Sequence, residues 1–183
     1  EFNRQAGDGP TVAFLGDVLE LDYPGGPLGR ETFDRIIAPQ NLVQIVGEGP
    51  ERLRLFEGIR NRLAPGGRVA ITFIEELPVD SMEIPPQPEV FEAGGWTWSS
   101  LSVSLEAEPG SITLHRLRQR IAPGGEILTS EAETRFTRVS AVAIEAGLLA
   151  AGLGPAEIRD MPVSVDYIDS VLATCSLPAT GAE

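Results

Sequence analysis

The spacing of apolar residues changes period several times along the chain, and each change marks an element. Thr11 to Leu15 is a β-branched and apolar run closed by Gly16-Asp17, which predicts a buried strand; the ten residues before it are polar and end in Gly9-Pro10. A Pro/Gly loop over Asp22–Gly29 leads to Phe33–Ala38, a second short strand stopped by Pro39. Leu53, Phe56, Ile59 and Leu63 then recur every three to four residues and predict an amphipathic helix. Gly49 suits its N-cap, Pro50 its first position and Glu51 its positive end, with Pro65-Gly66-Gly67 as the stop. Arg68 to Ile74 predicts a third strand, apolar enough to be covered on both faces.

The second half reads differently. Pro78 to Gly95 carries four prolines and predicts an irregular excursion, of a length usual for a lid, a binding loop or disorder. Leu101–Glu106 alternates as a strand does. Thr113–Ile121 and Glu126–Arg135 flank Ala122-Pro123-Gly124-Gly125 and predict a hairpin. Val139–Ala151 predicts an Ala-rich helix ending at Gly152, followed by strands over Ala156–Val163 and Ser170–Thr174 and a frayed tail from Pro178. The order is that of an α/β domain over residues 1–183, with residues 77–135 as an insertion.

Composition narrows the chemistry. A length of 183 residues fits one globular domain. All 14 basic residues are Arg, so a Schiff-base lysine and a P-loop lysine are excluded. One His and one Cys cannot supply a structural zinc site or an internal disulfide, and no metal is expected. A net charge of −13 argues against duplex DNA and anionic membranes as partners, and no apolar run approaches bilayer-spanning length. The absence of Lys suggests a GC-rich coding bias, hence a bacterial, cytoplasmic origin.

Three segments, taken in order, carry a family resemblance: FLGDVLELDYP (Phe14–Pro24), TFDRIIAPQNLVQI (Thr32–Ile45) and RLFEGIRNRLAPGGRVAITFIEE (Arg54–Glu76). With the late TRVSAVAIEAGLLAAGLGPAEIRDM they resemble the C-terminal two-thirds of a Rossmann-like, class I S-adenosylmethionine-dependent methyltransferase. The resemblance implies a Rossmann-like sheet with an antiparallel final strand and an inserted antiparallel hairpin or cap. It implies S-adenosylmethionine as cofactor, with Gly16, Asp17 and Val18 at the adenine. There the acidic residue accepts from the amino group and the following N–H meets a ring nitrogen. Ala38, Pro39, Gln40 and Asn41 would border the methionine part and the transfer channel, at the carboxyl end of a strand.

The family's Gly-rich turn and its ribose-binding acidic residue have no counterpart before Asp17. Their strands would lie between those at Thr11 and Phe33, so the sheet is expected to be incomplete. A missing N-terminal segment or a second copy in a homodimer would complete it. The function implied is methyl transfer to a small-molecule acceptor. The alternative is a non-catalytic, methyltransferase-like module or fragment that binds a partner chain. A nicotinamide dehydrogenase would need the same Gly-rich turn and a Tyr-Lys pair, and Lys is absent.

Several residues admit two roles. Asp17 is a cofactor contact or a solvated turn residue. His115, the sole imidazole, is a candidate general base or a satisfied strand histidine. Arg116, Arg118 and Arg120 share one strand face and suit an anionic acceptor, unless Glu131 and Glu133 across the hairpin form a salt ladder with them. Trp96 and Trp98 wall a flat acceptor or seal the loop to the core. Cys175 reads as a small buried residue.

Overall fold

The element sequence resolves into two sheets joined at one end. The computed structural model describes residues 15–26, 28–85, 87–161 and 169–178. The strand expected at Thr11 falls outside these residues except for Leu15, and so do the end of the strand expected to reach Val163 and most of the tail.

The first sheet has the order β1-β2-β9-β8, with β1 Phe33–Ala38, β2 Leu63–Phe73, β8 Glu157–Met161 and β9 Ser170–Ser176. β1 and β2 run parallel, whereas β9 is antiparallel to both β2 and β8. Helix α1 (Leu42–Ile45) is a single turn after β1, α2 (Pro50–Arg62) connects to β2, and α3 (Ala141–Ala150) leads to β8. Apolar residues at alternate positions of β2 and β9 explain the core. Val69, Ile71, Phe73, Val171, Ala173 and Cys175 point to one face. They meet Leu55, Phe56 and Ile59 of α2 and Ile144 and Leu148 of α3. Both helices therefore lie on the same face. On the other face, Ala70 and Thr72 of β2 are half-buried and Ile37 of the neighbouring β1 is 71% exposed. β1 is also an edge strand here, paired only with β2 among the described residues.

α2 begins as its sequence requires, with Gly49 at the N-cap (φ 55°) and Pro50 at the first position. Its end differs from expectation. The helix stops at Arg62, and the extended Leu63 already pairs with Phe33. The next pair is Arg35 with Arg68, so Ala64–Gly67 bulges out of the ladder. Gly66 adopts φ +76°, and a Cβ on Gly67 would stand 2.8 Å from the Ala64 carbonyl oxygen. The glycines serve this bulge rather than a helix cap.

The second sheet is the insertion: β3 Met82–Glu83, β4 Glu89–Ala93, β5 Trp96–Glu108, β6 Ser111–Ile121 and β7 Ile127–Thr137. β6 lies between β5 and β7, and β3 and β4 pair with different stretches of β5. The β6–β7 hairpin is as expected. The irregular excursion is corrected in part, because β4 forms a hairpin with β5 about Gly94-Gly95, both at positive φ (57° and 78°). Two adjacent left-handed residues are what a two-residue hairpin turn of matching twist demands. Ile112 of β6, with Leu105, Ala107 and Phe136, packs on Ile74 and Leu77, just past the end of β2. Arg138 donates to the carbonyls of Leu77 (2.7 Å) and Pro78, clamping the two ends of the insertion together.

Candidate cofactor edge and acceptor cap

Gly16, Asp17 and Val18 lie together ahead of β1. The Asp17 carboxylate accepts from the Leu19 N–H at 2.9 Å and caps the 3-10 turn Val18–Glu20. This turn is tied to α2. The buried Arg62 donates to the Leu21 carbonyl (2.6 Å), and Asn61 donates to Asp22. Gly58 leaves room for Leu21, whose Cβ would stand 3.2 Å from a Cβ on that glycine. The result is a hollow of roughly 290 Å³ bordered by Gly16, Asp17, Val18, Leu21, Tyr23 and Leu28. Its mixture of an exposed carboxylate and apolar walls suits a flat group with a donor at its edge. Ala38, Pro39 and Asn41 do not border this hollow; they stand at the carboxyl end of β1.

That strand end is unusual in its backbone. Gln40 and Asn41 are consecutive non-glycine residues in the left-handed region, with φ 56° and 61°. Asn tolerates this conformation and Gln does so less readily, at about 1–3 kcal/mol for a disfavoured residue. Contacts from the adjoining helix α1 hold the turn in place. The Gln44 amide, fully buried, donates to the carbonyls of Ile74 (3.0 Å) and Thr137 (3.1 Å) and accepts from the Ile74 N–H (2.9 Å). The Thr137 hydroxyl donates toward the Gln44 and Gly47 carbonyls and accepts from Arg52 at 2.8 Å. Arg52 also donates to the Val43 and Gly47 carbonyls, and burial lowers its pKa while Glu48 opposes that shift. One polar hub thus joins the end of β1, the end of β2 and the root of β7. Sequence reasoning missed Gln44, Arg52 and Thr137. The one visible signal was a Gln inside the apolar run Leu42–Val46.

The cap separates the remaining candidates by face. Cross-strand register places Arg116, Arg118 and Arg120 opposite Ser102, Ser100 and Trp98 on β5 and opposite Ala132, Ser130 and Leu128 on β7. Glu131 and Glu133 face Leu117 and His115 instead, so the salt ladder expected across the hairpin does not form. His115 belongs to the opposite face, its Nδ1 3.4 Å from Glu133 and its Nε2 3.6 Å from Glu106. The base candidate and the Arg/Trp candidates are thus not brought together. Trp96 and Trp98 do lie on the Arg face, with ring centroids 6.3 Å apart. Cys175 is buried in the core, which pushes its thiol pKa up to about 11.

No family model and no curated protein matches the chain in sequence. Solved structures match it in shape. DesVI of Streptomyces venezuelae superimposes with a TM-score of 0.58 at 18% identity, over 90% of this chain and 64% of that one. The SAM-bound amino pentose methyltransferase CalS10 of Micromonospora echinaspora gives 0.53 at 19% identity, over 87% and 62%. The sugar N-methyltransferase KedS8 of a Streptoalloteichus species gives 0.56 at 17%, over 86% and 60%. The chain spans less than two thirds of the length of each of these. At such identities the likeness defines the fold. It is that of a Rossmann-like, class I S-adenosylmethionine-dependent methyltransferase. Among the described residues no helix is long and apolar enough to cross a membrane.

Proposed function

We propose that the chain is the acceptor-side portion of an enzyme that transfers a methyl group from S-adenosylmethionine to a small-molecule acceptor. The observation that carries this is the left-handed Gln40-Asn41 turn at the carboxyl end of β1, where open α/β sheets bind ligands. Strain retained at such a place marks a site more often than a scaffold. The structural neighbours named as methyltransferases, one of them SAM-bound, support the same assignment.

In this reading Asp17, with Gly16 and Val18, receives the adenine, while Ala38, Pro39 and Asn41 line the transfer edge. Bound cofactor supplies the activated methyl group. The chain's own contribution is placement: it holds the acceptor near the ends of β1 and β2 and shields the reaction under the cap. Trp96, Trp98, Arg116 and Arg118 share one face of the cap but lie farther along its strands than these ends. His115 stands between Glu106 and Glu133 on the other face of the cap, and transfer in this reading rests on alignment without it.

The test is calorimetric titration of S-adenosylhomocysteine into the chain. Micromolar binding that Asp17→Ala weakens by about tenfold or more, and Asp17→Asn by less, supports the assignment, since Asn keeps the oxygen that caps the turn. A folded chain that binds none at millimolar ligand overturns cofactor binding by this chain and leaves a fragment or a partner-binding module.

A further inference from the structure

Among the described residues only Arg135 and Arg159 pair with carboxylates, so what sets the cap arginines apart is the aromatic surface beside them. Of the cap arginines, Arg135 pairs with Glu108. Arg116 and Arg118 make no ion pair or side-chain hydrogen bond among the described residues, and Arg120 only lies over the Trp96 ring at 5.2 Å. Glu89, at the rim, comes within ion-pair distance of none of them. Aromatic surface adjoins these cations. Phe91 and Trp98 have centroids 5.5 Å apart, and both are exposed, as is Leu128. Together Phe91, Trp98, Arg118, Arg120 and Leu128 border an open groove of roughly 650 Å³ with Ser100 and Ser130 on its floor.

This groove is not part of the cap root. Arg118 is six residues along β6 from Ile112, which packs on Ile74, and that is about 20 Å of strand. A large exposed aromatic patch beside unpaired guanidinium groups is costly to leave open in a monomer's surface and fits a ligand with two properties. An anionic oxygen pair would match the fork of Arg118, and a planar apolar body would stack on Trp98 and Phe91.

We propose that the distal face of the cap binds a planar, aromatic anion, an aryl carboxylate or aryl phosphate, through Arg118 and Arg120 with stacking on Trp98 and Phe91. The groove lies too far along the strands from the ends of β1 and β2 for its ligand to be the methyl acceptor, so this is a second binding site, independent of the functional assignment above. The binding itself needs no methyl transfer.

The only two tryptophans of the chain are Trp98, which borders the groove, and Trp96, which stacks on Trp98, so tryptophan emission reports this end of the cap. The experiment is a fluorescence titration of the whole chain with phenyl phosphate, benzoate, inorganic phosphate and benzyl alcohol. The expected result is saturable quenching by phenyl phosphate or benzoate, whichever source the site prefers. Binding should weaken about tenfold in Arg118→Ala, as for loss of a charge-assisted bidentate pair. It should be unchanged in Arg159→Ala, whose arginine pairs with Glu157 on the other sheet. Three results overturn the proposal: no saturable change with either aryl anion, equal affinity in Arg118→Ala, or benzyl alcohol or inorganic phosphate binding as tightly as the aryl anions. Because S-adenosylhomocysteine binding is measured separately, failure here leaves the cofactor edge standing, and the reverse.

Discussion

Replacing Gln44 by Leu conserves approximate volume while deleting a buried amide. Three hydrogen bonds go with it: those to the Ile74 and Thr137 carbonyls and that from the Ile74 N–H. All three backbone groups are buried, so water cannot replace the lost partner without opening the hub. An orphaned buried group costs about 1–3 kcal/mol. The Ile74 N–H has a single proton and bears its full cost, whereas each carbonyl can use its second lone pair. The expected destabilisation is therefore about 3 kcal/mol, out of a total of roughly 5–15 kcal/mol for a domain. Thr137→Val removes only a hydroxyl and should cost about 1–2 kcal/mol, because Arg52 keeps the Val43 and Gly47 carbonyls. Since the two side chains share the hub, the double variant should fall short of the sum by at least about 0.5 kcal/mol. Urea unfolding of the four proteins, fitted for midpoint and slope, measures all of this. A Gln44→Leu stability within about 0.5 kcal/mol of wild type at unchanged slope would show that the hub is not what joins the sheet to the cap. Strict additivity would show that the two residues act apart.

Packing leads to two further predictions. A Cβ at Gly147 of α3 would meet Phe56 Cε2 at 2.7 Å, and Phe56 is fully buried. Overpacking of about 1–3 kcal/mol should outweigh the helical gain of about 1 kcal/mol, so Gly147→Ala should lower the thermal midpoint, and a rise would refute the contact. Cys175, 4% exposed with its pKa pushed up to about 11 from an ordinary value of 9.0, should resist iodoacetamide in the folded chain below pH 9. Its unfolded thiol ionises near 9 while the folded one does not. Stability is thus retained below pH 9 and lost as pH rises from 9 toward 11, a slope that Cys175→Val should remove in urea titrations. Labelling at the rate of the urea-unfolded chain would refute the burial.

Much of this protein is legible in one dimension because the responsible forces are local or periodic. The strand at Phe33–Ala38 and the helix opened by Gly49-Pro50 follow from apolar spacing and proline geometry. The β6–β7 hairpin follows from two alternating runs about a Pro-Gly-Gly turn. The methyltransferase-like fold follows from the order of three motifs. Other elements needed the third dimension. Gly94-Gly95 makes a hairpin only because Glu89–Ala93 finds β5 as a partner, and four nearby prolines hid that strand. Gly66-Gly67 fills a bulge set by the register between β1 and β2, which no local propensity encodes.

The candidate site divides along the same line. Chain order places Asp17 after a strand-like run and Asn41 after β1. Alternation puts Arg116, Arg118 and Arg120 on one face. Only the tertiary structure decided what those faces meet. A register offset of one residue is enough to turn Glu131 and Glu133 away from the arginines and toward His115. The Gln44–Thr137 contact spans 93 positions of sequence. Its partners are backbone carbonyls and N–H groups, which nearly every residue has, so no pattern of side chains announces it. Sequence determines which groups are available. The packing of β7 against α1 determines which of them lose water together and must satisfy one another.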